Sequence, residues 1–562
     1  MAHMCVTAAY SSLLTRPPAE QLESSFVTAF GFGPAVVPRS RANGFMNMIE
    51  ALRVRARALM LPAGVSSRPF PSLVVSRSGI SPQGAYAVAQ ARFLEPDRSQ
   101  VSALAALLSQ KRVGIVAHFY MDAEVQGVLT AAKALWPHIH ISDSLVMADS
   151  SVAMVRAGCE RIVVLGVDFM SENVRAILDD AGLTHIPVYR LAAEAIGCTL
   201  AAAAEDASYY SWLDGASRVA KSLHVVYINT SLRTKALAHA RVPTITCTSS
   251  NVVNTVLTAA AQVPEVNVWY GPDSYMGANL VTLLRRLATL PDNEVAAVHP
   301  GHTASSIAAL LPRLRYFSDG ACAVHELFGA DVTAAVADGY SDAFLTAHFE
   351  VPGEMFALAM DARQRGMGVV GSTQNILDFI TARTKEALER DQSAERLCFV
   401  LGTETGMVTS IVDALQRQLA AAPAGSPDVQ VEIVFPVSSE AISTTGSTAG
   451  TGSSSAQLRG IGDLAIVPGP AGGEGCSTAG GCASCPYMKM NTLQSLMTVC
   501  ERIGTPGEAL LEAYKPEAYT EHAPQGGSLA SAGCVPILHM RDFQAGKKLS
   551  DALVTDVVTR GQ

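Results

Sequence analysis

The chain has 562 residues, with 41 Lys+Arg against 50 Asp+Glu for a formal net charge of −9, and it is 49% apolar but 16% charged. This acidic balance argues against a general binder of nucleic acid or anionic membrane, which needs basic patches against phosphate. The apolar share excludes disorder for most of the length. Eleven cysteines are too few for a disulfide scaffold, yet Cys476, Cys482 and Cys485 fall within ten residues. The longest uncharged stretch, 242–264, contains Pro243, Asn251, Asn254 and several Ser and Thr, too many polar groups for a span in lipid. The N-terminus lacks the ordered charged, apolar and small-residue regions of a secretory signal.

Residues 62–81 mix Pro, Ser and Arg and read as an interdomain linker. From residue 113 onward, short apolar runs alternate with helix-length segments. The runs 113–118, 162–166, 224–228, 244–247, 268–270, 343–346, 368–370, 398–401 and 431–435 predict strands. The stretches 126–135, 171–181, 252–261, 281–290, 355–365 and 376–388 predict helices. Such alternation indicates parallel βαβ units covered on both faces. Three strand ends run into turns of small polar residues: Ser142-Asp143-Ser144, Thr248-Ser249-Ser250-Asn251 and Gly371-Ser372-Thr373. Hydroxyls and free amides at a helix start either cap the helix or hold an anion. Each turn alone reads as a cap; three together suggest a site built from several strand-to-helix loops. Residues 438–457, rich in Ser, Thr and Gly, read as a flexible surface loop.

The strongest chemical signal is Gly475-Cys476-Ser-Thr-Ala-Gly-Gly-Cys482-Ala-Ser-Cys485-Pro-Tyr-Met488. Thiols spaced closely in a Gly-rich turn favour a soft metal, and Pro after the last Cys recurs at iron–sulfur sites. Cys482-x-x-Cys485 by itself fits zinc, a redox disulfide or a cluster equally. No second Cys/His pair at zinc-like spacing is visible. The five residues between Cys476 and Cys482 do not fit the three-cysteine signature of radical enzymes, which has three there. Cys198, in Ile196-Gly-Cys-Thr-Leu200, and Cys322, in Gly320-Ala-Cys-Ala-Val-His325-Glu326, sit in unusual settings. Cys159, Cys398, Cys500 and Cys534 read as small buried hydrophobes.

Residues of about 80–545 resemble the quinolinate synthase family in its plant and algal form. The matching blocks are Ala117-His-Phe-Tyr120, Ser142-Asp-Ser144, Gly166-Val-Asp-Phe-Met-Ser-Glu172, Tyr227-Ile-Asn229 and Cys247-Thr-Ser-Ser-Asn251. They continue with Gly320-Ala-Cys-Ala-Val-His325, His348-Phe-Glu350, Gly371-Ser-Thr373 and Cys482-Ala-Ser-Cys-Pro-Tyr-Met488. The resemblance implies an α/β fold of three αβα sandwich domains with parallel sheets, related by a pseudo-threefold axis around a central cluster. The implied domains are 82–196 with 465–562, then 197–320, then 321–464.

It further implies a [4Fe–4S] cluster held by Cys198, Cys322 and Cys485, with one iron open to substrate. The implied reaction condenses iminoaspartate with dihydroxyacetone phosphate to quinolinate in NAD biosynthesis. The implied catalytic residues are Glu350, His118, Tyr120, His325 and His348. Substrate contacts fall to His118, Asp143, Ser144, Tyr227, Asn229, Ser249, Ser250, His348, Glu350, Ser372 and Thr373. A plastid location, a homodimer and L-aspartate oxidase as supplier of iminoaspartate belong to the same expectation, with no nucleic acid or membrane partner. Many bacterial members have His-Pro-Glu where this chain has His348-Phe-Glu350, and their triple-cysteine run is reduced here to Cys482-x-x-Cys485. Cys482 is therefore not expected to bind iron, and a redox disulfide with Cys485 stays open. Residues 38–52 resemble the tail of a cysteine-desulfurase activator domain, so 1–61 read as its remnant. Cys5 has no counterpart in that domain, and no sulfur acceptance through this N-terminus is expected. The competing readings are another iron–sulfur or metal-dependent enzyme of triose phosphates, and a non-catalytic iron–sulfur or zinc carrier.

Overall fold

The nine apolar runs all form strands. The computed structural model describes residues 70–390, 393–436, 485, 487–524 and 526–560, and its strands fall into three sheets. β1 (Ser72–Ser76) and β2 (Gly79–Gln83) are followed by β3 (Val113–His118), β4 (Ile139–Ser142), β5 (Arg161–Leu165) and β6 (Val188–Tyr189). Next come β7 (Ser222–Tyr227), β8 (Thr244–Cys247), β9 (Asn267–Gly271) and β10 (Leu314–Tyr316). The last are β11 (Phe344–His348), β12 (Gly368–Gly371), β13 (Ala394–Gly402) and β14 (Asp428–Val434).

The sheet orders are β4-β3-β5-β6, β10-β9-β7-β8 and β12-β11-β13-β14-β1-β2. Each sheet thus contains four parallel strands in the order second, first, third, fourth. In such a sheet the crevice for a ligand opens beyond the carboxyl ends where the winding reverses, beside the first strand. β3 and β7 are buried at every residue, as expected for parallel strands covered on both faces.

The predicted helices form, and several begin earlier than their apolar periodicity. The cap decides the start: Asp122 accepts the Glu124 N–H and opens Ala123–Ala132, and Asp273 accepts the Met276 N–H and opens Ser274–Leu287. Part of the segment read as a linker is strand. β1 pairs antiparallel with both β14 and β2, with Leu73 and Val75 fully buried and the Ser72 hydroxyl donating to Glu432 at 2.7 Å. The surrounding Pro and Ser masked this short apolar run. Near the C-terminus, Leu493–Arg502 packs on Arg98–Gln110, whereas Leu529–Gly546 lies against Leu232–Arg241 and β8. No described helix is long and apolar enough to cross a membrane. The expectations for 1–61, for 438–457 and for Cys476 and Cys482 lie outside the described residues.

Candidate active site

The first of the four parallel strands in each sheet ends in the same kind of triplet. β3 runs into His118-Phe119-Tyr120, β7 into Tyr227-Ile228-Asn229, and β11 into His348-Phe349-Glu350. Extended backbone sends residues i and i+2 to one side. The middle residues Phe119, Ile228 and Phe349 are buried at 7%, 3% and 4% exposure, while all six flanking side chains line one cavity. That cavity encloses about 70 Å³, several times what one water needs. The second strands of the three sheets contribute Asp143 and Ser144, Thr248 and Ser249, and Thr373.

Glu350 is the electrostatic centre. It is 3% exposed, and the Tyr227 hydroxyl donates to its Oε1 in a short hydrogen bond. His325 Nδ1 stands 3.2 Å from Oε2 and His348 Nδ1 stands 3.5 Å from Oε1. Burial alone would push this carboxyl up; the His325 ring beside Oε2 and the hydrogen bond from the Tyr227 hydroxyl pull it down, and the group lies below its ordinary range. Burial pushes His118 down to about 3 and His348 to about 4, against the pull of Glu350, so both rings are neutral near pH 7. Their tautomers follow from the backbone. Tyr120 N–H donates to His118 Nδ1 at 3.2 Å and Glu350 N–H to His348 Nδ1 at 3.3 Å, which leaves the proton on each Nε2. His348 Nε2 meets Ser249 Oγ at 3.1 Å. Burial and the nearby carboxylates raise Tyr120 and Tyr227 well above the usual phenol range, so both remain donors.

Cys198, Cys322 and Cys485 line the same cavity, and all three act on the Tyr487 hydroxyl beside them. Backbone N–H groups face each thiol: Leu200 and Ala201 at Cys198, His325 at Cys322, Tyr487 and Met488 at Cys485. Burial raises all three thiols, and these amides oppose the rise. Cys159 and Cys247, by contrast, are raised by burial with nothing opposing it. Two of the cysteine loops hang from an acidic residue just past a third strand. Asp168 N–H donates to Ile196 O at 2.9 Å and its carboxylate accepts the Ile196 N–H at 3.0 Å, two residues before Cys198. Asp273 bridges to Gly320, two residues before Cys322.

Of the expected substrate-binding residues, Ser250 and Ser372 are not among those lining the cavity. Ser250 is exposed and bonds Thr248 at 2.7 Å, and Ser372 caps Thr373–Leu388 in a reciprocal box with Asn375. His325 lies fully buried behind the wall, its ring stacked on His348 at 5.1 Å. Glu404, missed from sequence, reaches the cavity just after β13. The ligating atoms of Cys322, His325 and Glu404 lie within 4.8 Å of one another. The signal was available: each third strand ends Gly-x-acid, as Gly166-Val-Asp168, Gly271-Pro-Asp273 and Gly402-Thr-Glu404. Met170 and Met488 are buried and also line the wall.

The family model for Quinolinate synthetase A protein matches residues 102–428. The chain is 57% identical over 527 residues to a protein named Quinolinate synthase, chloroplastic, of Nicotiana tabacum, covering 93% of this chain and 71% of that protein. A protein of the same name from Oryza sativa subsp. japonica is 56% identical, with 92% and 74% covered. This chain belongs to the quinolinate synthase family. The Quinolinate synthase of Methanopyrus kandleri is 26% identical over 53% of this chain and 77% of its own length. The family implies a metal cofactor, and the donor set here fits one. Three thiols faced by backbone N–H groups meet in one cavity, a soft donor set of the kind that holds a thiolate-ligated metal.

Proposed function

We propose that this chain condenses iminoaspartate with dihydroxyacetone phosphate to quinolinate, with Cys198, Cys322 and Cys485 holding a [4Fe–4S] cluster. When bound, the cluster supplies a Lewis-acidic iron that polarises a carbonyl or hydroxyl oxygen. The chain's own groups supply the rest. Glu350, kept ionised beside His325 and the Tyr227 hydroxyl, removes a proton from carbon beside the triose carbonyl. His118 and His348 present Nε2–H donors to developing oxyanions, and Tyr120 and Tyr227 add hydroxyls that stay protonated. Ser144, Ser249, Thr373 and Asn229 hydrogen-bond the carboxylate and phosphate ends, and Asp143 fixes its turn through the Val146 N–H at 3.2 Å. Burial of the cavity excludes bulk water from reactive imine and enediol forms.

The observation that carries this reading is a single cavity lined by the three amide-facing thiols and by the Tyr227–Glu350–His348 system. The chloroplastic names of the similar plant proteins support a plastid location; a homodimer as the working assembly and L-aspartate oxidase as the supplier of iminoaspartate belong to the same proposal. The test is anaerobic iron and sulfide analysis with an absorption spectrum, followed by assay of quinolinate and phosphate. Both products should appear in step and scale with bound iron. Bound iron with no turnover would favour a carrier, and turnover of triose phosphate without quinolinate would favour a different enzyme.

A further inference from the structure

The three wall-forming turns share a second feature. Behind each, one buried polar side chain reaches the carbonyls of the residues on either side of the inward-facing i+2 position. Gln126 Nε2 meets Phe119 O at 2.6 Å and Met121 O at 2.8 Å. Lys235 Nζ meets Ile228 O at 3.2 Å and Thr230 O at shorter range. Asn279 Nδ2 meets Phe349 O at 2.8 Å and Val351 O at 2.7 Å. Gln126 and Lys235 are fully buried and Asn279 is 1% exposed.

The first two clamps are also placed alike in the chain. Gln126 lies eight residues beyond His118, and Lys235 eight beyond Tyr227. Eight beyond His348 stands Phe356, which has no donor. The third turn takes its clamp from Asn279, on Ser274–Leu287 of the neighbouring unit. Gln126 in turn reaches Gly406 O at 2.6 Å, beside Glu404.

Lys235 is the costly member. It places an amine in the first turn of Leu232–Arg241, where the helix dipole disfavours positive charge, and burial pulls it down to about 7 against the pull of Glu172. No carboxylate among the described residues lies within ion-pair distance. Glu172 balances it at longer range while accepting the Leu232 N–H at 2.9 Å and the Tyr519 hydroxyl at 3.1 Å. Helix Leu529–Gly546 closes over the arrangement so tightly that a Cβ on Gly533 would fall 2.2 Å from Leu232 O. A buried lysine spent on two loop carbonyls breaks the local rules for a helix start, and such breaches concentrate where a site needs its geometry held.

We propose that Gln126, Lys235 and Asn279 are positioning residues, each fixing one strand-end turn so that its i and i+2 side chains meet the substrates at a set distance. The proposal deepens the quinolinate-forming reading and rests on it for its kinetic arm. Lys235→Met removes one clamp with little change in volume. In the anaerobically reconstituted holoenzyme, KM for the substrate that Asn229 contacts should rise about tenfold to a hundredfold, the loss of one charge-assisted contact, with bound iron unchanged. The double variant Lys235→Met/Asn229→Ala should bind no worse than Asn229→Ala alone, whereas Gln126→Met and Asn229→Ala should multiply.

Amide hydrogen exchange supplies a readout independent of turnover. It should speed up over 227–231 in Lys235→Met and over 118–122 in Gln126→Met, each without the other. Lys235→Gln retains one donor and should fall between wild type and Lys235→Met, and it serves in place of Lys235→Met should that variant not fold. An unchanged KM with a lowered melting temperature, or exchange raised throughout the chain, would make these side chains merely structural and overturn the proposal. Were the wild type to make no quinolinate, the functional reading would fall, and the exchange arm would still decide the clamps.

Discussion

Replacing Glu350 by Gln removes one charge from the site and almost no volume. The amide oxygen can still accept from Tyr227, and the amide nitrogen can face the His325 Nδ1 that now lies 3.2 Å away, so the cavity wall should survive. The expected loss is chemical: a positioned base contributes roughly 10²- to 10⁴-fold, or about 3–5 kcal/mol of barrier. The effect on the thiols runs in the opposite sense. Glu350 raises both Cys198 and Cys322, so its neutralisation eases their ionisation, and iron retention should be undiminished. The assay pairs iron per chain and the visible spectrum with the rate of quinolinate formation at saturating substrate, all under anaerobic conditions. Turnover within about threefold of wild type would remove Glu350 from the role of base, since no positioned base is worth so little. Loss of iron together with turnover would show instead that the carboxylate serves the cofactor.

Cys198→Ser, Cys322→Ser and Cys485→Ser should each abolish the visible absorption and lower iron and sulfide together, whereas Cys159→Ser should not, as anaerobic metal analysis will read. Gly320→Ala places a Cβ 2.2 Å from Pro272 O, beside the loop that carries Cys322. It should cost about 1–3 kcal/mol by urea unfolding and impair iron retention; a neutral result would mean that the loop tolerates displacement. His224, fully buried against Tyr209 and Thr244, is pushed down to about 3 chiefly by burial. Its folded pKa lies below the unfolded value of about 6.5, so the stability it confers is complete above that value and is lost as pH falls from there towards 3. The decline should reach about 1.4 kcal/mol per pH unit for this group, and His224→Asn should flatten the urea-unfolding stability curve between pH 6 and pH 4.

The parallel α/β plan was legible because buried strands announce themselves as unbroken apolar runs, as at β3 and β7. Strands with mixed or very short sequence were not: β6 has two residues, and β1 is flanked by polar and proline-rich chain. The strand-end triplets could be read as ligand-facing, because alternation along an extended chain sends both outer residues one way. What no single segment encodes is partnership across units. Nothing in the sequence around Phe356 indicates that Asn279 takes over the job its own helix cannot do. Glu404 escaped notice although Thr403-Glu404-Thr405 repeats the hydroxyl–acid–hydroxyl pattern of Ser142-Asp143-Ser144, because the hydroxyl-rich turns that marked the others follow second strands and this one follows a third. Ser372 drew attention through that pattern, but its hydroxyl serves the helix behind it.

The shared strand order of the three sheets has a mechanical consequence. The cavity is a vertex where three layers abut, rather than a cleft within one of them. A small rotation of any layer moves two of the six strand-end side chains together, by the same rigid displacement. The spacing of these side chains is therefore tied to how the layers seat against one another, and substitutions at those seams should change it without touching a residue that lines the cavity.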